Sequence, residues 1–331
     1  MKHFESVARG KPEAIARLFT VDGNEAGLRL DQFLCSRIQR LSRSRVQVLI
    51  RRGEVDRGDE ILKVSSRVAE GDHIRLWRIP PPEPQVAGWP EELERGEDWV
   101  ALSKPGDLTV HPSARYFHHT VTGWMATFPE RFPDARLVHR LDRETSGVLL
   151  VALGAASDRR LGKAFAARQV KKEYLALVEG AFPHKGVDCD LSLGPAEPPG
   201  IIRIKQVHQA KGDRARTRFQ MEQAIDHNLS LIRCFPETGR MHQIRAHLSL
   251  IGYPIVGDKI YGSAPDEDYD RFVSEGLSDD LVVSFGARRQ LLHAAALEFP
   301  LPDGRWHRVE ASLPEEFARF GVVQNLESSG A

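Results

Sequence analysis

The segment VHRLDRETSG, residues 138–147, places one carboxylate, Asp142, between Arg140 and Arg143. His139 lies just upstream, and the strand-length apolar run VLLVAL follows directly. Neighbouring guanidinium groups favour an ionised carboxylate. Several chemistries are open to such a group. A glycoside hydrolase needs a second carboxylate across the scissile bond; Glu144 is two residues away, and the local sequence does not show the pair converging. A metal site needs more carboxylates or histidines at ligand spacing than His139 alone supplies. A single ionised Asp can act as nucleophile or electrostatic stabiliser. It can equally tie down a loop through an Asp–Arg ion pair and do no chemistry. Thr145-Ser146-Gly147 marks a turn, so Asp142 is expected on a loop held by the following strand, where catalytic groups concentrate. His118 and His119, near His111, form a second cluster of reactive types. No carboxylate or cysteine joins them at ligand spacing, so no metal site is expected.

Periodicity supplies the elements that must position the loop. WVALSKP (99–105) reads as a strand entering a turn, and VLLVAL (148–153) as a buried strand. RRLGKAFAARQ (159–169) reads as a helix with Leu161 and Phe165 on one face. KEYLALVEG (172–180) alternates as a strand and ends at Gly180; IIRIKQV (201–207), ARTRFQM (215–221) and LSLIRCF (229–235) are also strand-like. ETGRMHQIRAHLSLIGYP reads as a helix opened by Thr238, burying Met241, Ile244, Leu248 and Ile251. Strands in succession, with some separated by helices, give an α+β class: a mixed, mostly antiparallel central sheet flanked by helices. Upstream, Leu30, Phe33, Leu34 and Ile38 recur at helical spacing. Ser42 can cap a second helix that buries Val46, Leu49 and Ile50 and stops at Gly53. Arg43, Arg45, Arg51 and Arg52 are then left outside, with few acids on the same helix to match them. That favours a phosphate-binding face. Lys171 and Lys172 are expected to be solvated, with a backbone contact as the alternative.

The stretch RLDQFL, LSRSRVQVLIRRGEV and GDHIRL resembles an S4 domain, a small RNA-binding module, over about residues 27–79. Asp56-Arg57-Gly58 stands where that family usually shows a Val-Asn-Gly type of turn. VHRLDRETSGVLLVAL resembles the signature of the RluA-type RNA pseudouridine synthases, whose H-R-L-D-x-x-T-S-G loop carries the catalytic aspartate. SKPGDLTVHP (103–112), KKEYLALVEG and ETGRMHQIRAHLSLIGYPIVGDKIYG (237–262) resemble three further blocks of that family in the expected order, within a likeness spanning about residues 97–310. Gly106-Asp107, Met241 and Tyr253 depart from the family pattern. The resemblance implies uridine-to-pseudouridine isomerisation in RNA after base flipping, with no cofactor and no metal. It makes Asp142 the catalytic carboxylate, nucleophile or base at the sugar. Tyr174 would stack on the uracil, and Arg245 would pair with Asp142. Arg140, His139 and Arg240 would bind RNA, together with the arginines of the S4-like unit. Ribosomal RNA is the favoured partner, with transfer RNA open. Two rival readings remain: a non-catalytic RNA-binding or ribosome-assembly factor that keeps the fold, and a hydrolase using Asp142 with Glu144.

Composition agrees with a nucleic-acid partner only locally. Lys+Arg and Asp+Glu are both 46 in 331 residues. Residues 27–79 hold twelve basic against seven acidic residues, 201–250 nine against four, and 263–331 six against thirteen. Local positive surface steers toward phosphate. Cys35, Cys189 and Cys234 form no C-x-x-C, which suits a reducing, cytoplasmic setting. No apolar run approaches the roughly 20 residues of a membrane span. The expected organisation is an extension (1–26), an S4-like α/β domain (27–79), a proline-rich linker (80–96), a catalytic domain (97–320) and a tail (321–331), in a monomer.

Overall fold

The computed structural model describes residues 11–323 apart from 12–13, 39–40, 59, 80–82, 114–115, 198–199, 201 and 227. Most of the expected extension, the start of the linker and most of the tail therefore lie outside the described residues. The chain divides between Glu83 and Pro84 into two compact units.

The first unit contains β1 (Ile15–Thr20), α1 (Leu30–Arg37), α2 (Arg43–Arg51), β2 (Val55–Arg57), β3 (Glu60–Ile61) and β4 (His73–Arg78). Its sheet runs β1-β4-β2-β3. Phe33, Leu34, Val46 and Ile50 meet Val55 and Ile74 in one core. Ser42 caps α2 by accepting from the Arg45 N–H. β1 lies inside the segment read as an extension. Only Phe19 of that strand is buried, so its sequence carries little alternation to reveal it. Arg45, Arg51 and Arg52 are exposed. Arg43 is exposed too, with its Nε 2.9 Å from the buried carboxylate of Asp31, which also holds Arg29 and Gln47.

The second unit contains β5 (Glu91–Arg95), β6 (Trp99–Lys104), α3 (Val121–Ala126), β7 (Ala135–Leu137), β8 (Ser146–Leu153) and α4 (Ala155–Ala166). β9 (Lys171–Glu179), β10 (Val187–Cys189), β11 (Leu193–Pro195), β12 (Gln206–His208), β13 (Thr217–Ala224) and β14 (Leu229–Pro236) follow. The unit ends with α5 (Gln243–Leu250), α6 (Asp266–Glu275), α7 (Asp279–Phe285), β15 (Leu292–Pro300), β16 (Trp306–Glu310) and a 3-10 turn, Glu315–Phe320. The main sheet runs β10-β13-β14-β9-β15-β8-β6-β5, with β16 on β15 and β7 on β8. Every pairing in it is antiparallel except β15 with β8. β5 falls within the expected linker and is already an edge strand of this sheet.

Successive strand residues point to opposite faces. Val148 and Leu150 pack beneath α4 with Leu161, while Leu149 and Val151 pack with Val121, Met125 and Leu141. β8 is buried on both faces, which is why VLLVAL reads as a continuous apolar run. Each fully buried leucine there contributes about 2 kcal/mol. Gly147, where the Asp142 loop enters the sheet, has φ 108°. A Cβ there would lie 2.1 Å from the Ala294 carbonyl, so only glycine lets β15 approach at this parallel join.

Two expected elements differ. α5 begins at Gln243, after His242 in a left-handed conformation at φ 55°. Thr238 does not cap it: its hydroxyl accepts from the Arg216 N–H and donates to Gln243 Oε1. Residues 237–242 therefore form a turn, and Met241 is 48% exposed instead of buried. The strand expected over 201–207 is reduced to Gln206–His208.

Candidate functional site

Four anchors fix the Asp142 loop. Lys104, fully buried at the end of β6, donates to the carbonyls of Pro105 (2.7 Å), Leu108 (2.9 Å) and Arg143 (3.0 Å). Burial, with Arg289 nearby, pushes its ammonium down to about 7. Three carbonyls nevertheless match the three donors of the charged form. Glu144 accepts from Lys259 on both oxygens at 2.9 Å, from Arg143, and from the Gln290 N–H. Gln290 also donates to Thr145, and Arg289 to the Glu144 carbonyl. Lys104→Met is expected to leave three buried or half-buried carbonyls unpaired, destabilising the unit by about 3 kcal/mol and lowering turnover. Thermal unfolding and single-turnover rates on one preparation check this; a wild-type melting temperature would show that the ammonium is not what holds the loop.

Asp142 thus projects from a fixed loop. Its Oδ2 lies 2.9 Å from Arg245 Nη1. Arg245 is buried on α5, and its other edge forks onto Asp258 at 2.7 and 2.8 Å. Asp258 Oδ1 in turn accepts the N–H groups of Ile260 and Tyr261. The guanidinium also sits 5.2 Å from the centre of the Tyr261 ring. Burial works to raise the Asp142 carboxyl, but Arg245, His242 and Arg140 together outweigh it, and the carboxyl is held below its usual range. His242 Nε2 is 4.0 Å from the same Asp142 oxygen. Burial and the Arg245 charge push that imidazole down to about 4, so it is neutral at pH 7.

Asp142 opens onto a cavity of about 650 Å³ whose wall includes Tyr174, Phe165, Thr145, Leu292, Arg140 and Arg168. Tyr174 reaches it from β9, where its strand pairs with both β14 and β15. Burial pushes the phenol up, so it stays protonated. A second cleft, about 720 Å³, shares Asp142, Arg140, His242 and Arg245 with the first and adds Tyr116, Arg143, Lys259 and Phe272. The first volume suits a single nucleotide, and its chemistry is one carboxylate, one aromatic face and a rim of cations.

Residues 98–250 match the family model described as RNA pseudouridylate synthase. The chain is 33% identical over 329 residues to ribosomal large subunit pseudouridine synthase C of Escherichia coli (strain K12), covering 95% of this chain and 97% of that protein. The corresponding Haemophilus influenzae protein is 30% identical, with 95% and 96% covered. The chain belongs to the RluA-type RNA pseudouridine synthases. The structure of human RNA pseudouridylate synthase domain containing 1 is 25% identical, with a TM-score of 0.51 over 73% of this chain and 98% of that one. Human RNA pseudouridylate synthase domain containing 4, 24% identical, shares the fold with a TM-score of 0.51 over 69% and 90%. The α+β architecture expected from the strand and helix order is that of this family.

Within this pseudouridine synthase the structure brings together Asp142, Tyr174, Arg245, Arg140 and Arg240 around one cavity. Arg140 is exposed. Arg240 precedes α5 and is held by Asp213 at 3.3 Å and by the Arg214 carbonyl. His139 also lines this cavity, and it has a second role within the protein. Its Nε2 accepts from the Leu150 N–H at 2.8 Å, and its ring stacks on Phe165 at 4.8 Å. Burial pushes the imidazole down to about 3. Through Nε2 the ring fastens the loop to β8. Glu144, fully engaged by Lys259 and Arg143, does not line the cavity with Tyr174 but the second cleft. Lys172 is not solvated: it is half-buried at the cavity edge and donates to the Thr238 carbonyl. Asp258 and Lys104 were not singled out from sequence, although both lie in the quoted blocks. No group of three or more metal-ligating side chains occurs among the described residues. None of the described helices is long and apolar enough to cross a membrane.

Proposed function

We propose that this synthase isomerises uridine in ribosomal RNA, with Asp142 as the catalytic carboxylate acting at the sugar as nucleophile or base. The observation that carries this reading is the ion pair of Asp142 with the buried Arg245, facing Tyr174 across a nucleotide-sized cavity. The N1–C1′ bond breaks, the uracil turns, C5 bonds to C1′, and the C5 proton is lost while N1 gains one. No electron acceptor is involved. The target base has to leave its stack to reach a cavity of this kind. Tyr174 stacks on it, and Arg140 with Arg240 binds the RNA around it. Exposed Arg45, Arg51 and Arg52 give the first unit an RNA-binding face of the S4 type. The ribosomal substrate rests on the two bacterial relatives matched over 95% of the chain, both named for the ribosomal large subunit.

The test is tritium release from uracil C5 in ribosomal and transfer RNA transcripts. Release from a large-subunit transcript, with the base retained in the RNA, is the expected outcome. Release from transfer RNA alone would replace the substrate. RNA binding without release from any transcript or assembly intermediate would favour a binding factor.

A further inference from the structure

The rim of the Asp142 cavity carries more positive charge than the protein neutralises. Of the cations lining it, Arg245 is paired with Asp142 and Asp258, and Arg240 with Asp213. The other lining carboxylate, Glu237, faces Arg216 at 3.5 Å. That leaves Arg140, Arg168 and Lys172. Arg168 makes no side-chain ion pair among the described residues, and Lys172 has only the Thr238 carbonyl, at 3.3 Å. Burial pushes the Lys172 ammonium down, and the charge of Arg168 adds to this. The two cations therefore share one field without an anion between them.

Arg168 also sits where its own backbone disfavours it. α4 ends in a Schellman turn: the Gln169 N–H bonds to the Ala164 carbonyl and the Arg168 N–H to that of Phe165. Arg168 occupies the position that glycine normally takes there, at φ 58°. A non-glycine side chain at such a position points to a role for that side chain.

We propose that Arg168 and Lys172 form a phosphate clamp at the mouth of the cavity, holding the RNA backbone beside the flipped uridine. This rests on the RNA substrate proposed above and adds two residues to its binding. Both are positioning residues: they hold the strand that carries the reacting nucleotide and do not touch the reacting atoms.

The full chain and Arg168→Gly, Arg168→Ala and Lys172→Met variants are to be compared. The probes are a large-subunit RNA transcript and an unrelated RNA of equal length, bound at several salt concentrations. Arg168→Gly is expected to melt about 2 °C above Arg168→Ala, because glycine relieves the strain that alanine keeps. Both are expected to lose the same RNA affinity, about tenfold. The slope of log affinity against log salt falls by about 0.7 to 0.9 for each variant. In the tritium assay the loss falls on KM and not on kcat. An unchanged salt slope in either Arg168→Gly or Lys172→Met overturns the clamp, as does a loss confined to kcat. The binding arm reads the clamp even if the wild type releases no tritium, a result that would strike only at the proposed reaction.

Discussion

Asp142→Asn is expected to lower tritium release from a C5-labelled large-subunit transcript by about 10⁴-fold or more, with folding and RNA affinity close to wild type. The amide has the shape of the carboxylate but neither its charge nor its nucleophilicity. The fold survives because Arg245 does not become an isolated buried charge: its fork onto Asp258 is independent of Asp142. What is lost is one charge-assisted hydrogen bond from Arg245 Nη1, about 1–2 kcal/mol. The variant therefore separates chemistry from architecture. A residual rate within tenfold of wild type would show that another group carries the reaction. A collapse in melting temperature would show that the Asp142–Arg245 pair is chiefly a structural tie.

The parts of this site visible in the sequence share one property: their pattern is local. VLLVAL is apolar throughout because β8 is buried on both faces, and Gly147 precedes it because β15 closes on it. The alternation of KKEYLALVE gives β9 and its cavity-facing Tyr174. Three things were hidden because they depend on long-range partners. The turn at 237–242 decides where α5 begins. Thr238 looks like a helix cap until Arg216 and Gln243 occupy its hydroxyl. His139 adjoins Arg140 at the cavity, and nothing local says that its ring also stacks on Phe165 and accepts from the Leu150 N–H. Asp258 is 116 residues from Asp142 in number, and nothing local says that one arginine joins them. Its signal was present in the block PIVGDKIYG, whose aspartate carries no periodicity reason to be buried.

Arg245 should be the most sensitive position in the molecule, and its two substitutions should fail differently. Arg245→Met leaves Asp258, which is buried, and Asp142, which is partly open to the cavity, without their shared cation. Breaking a buried ion pair from one side costs about 3–5 kcal/mol. The sign of the pH dependence follows from the carboxyls. In the wild type both are held below their usual range: burial opposes this, and Arg245 overcomes it. A carboxyl depressed on folding adds stability above its unfolded value, near pH 4, and that stability is lost as pH falls through the folded value. In Arg245→Met burial acts on Asp142 without that cation, so its folded value moves upward. The stability gap between wild type and variant should therefore be widest at neutral pH and shrink as the pH falls toward 4. Arg245→Lys keeps the charge but has no planar fork to span Asp258 and Asp142 together. It should fold, lose about 10²-fold in turnover as Asp142 loosens, and show an acid limb of activity shifted to higher pH. Denaturant unfolding at two pH values and tritium-release rates across the acid range measure both effects. An Arg245→Met chain as stable as wild type at neutral pH, or an Arg245→Lys acid limb that does not move, would mean that Asp142 owes its ionised state to the neighbouring Arg140 and the solvent reaching the cavity instead of to Arg245.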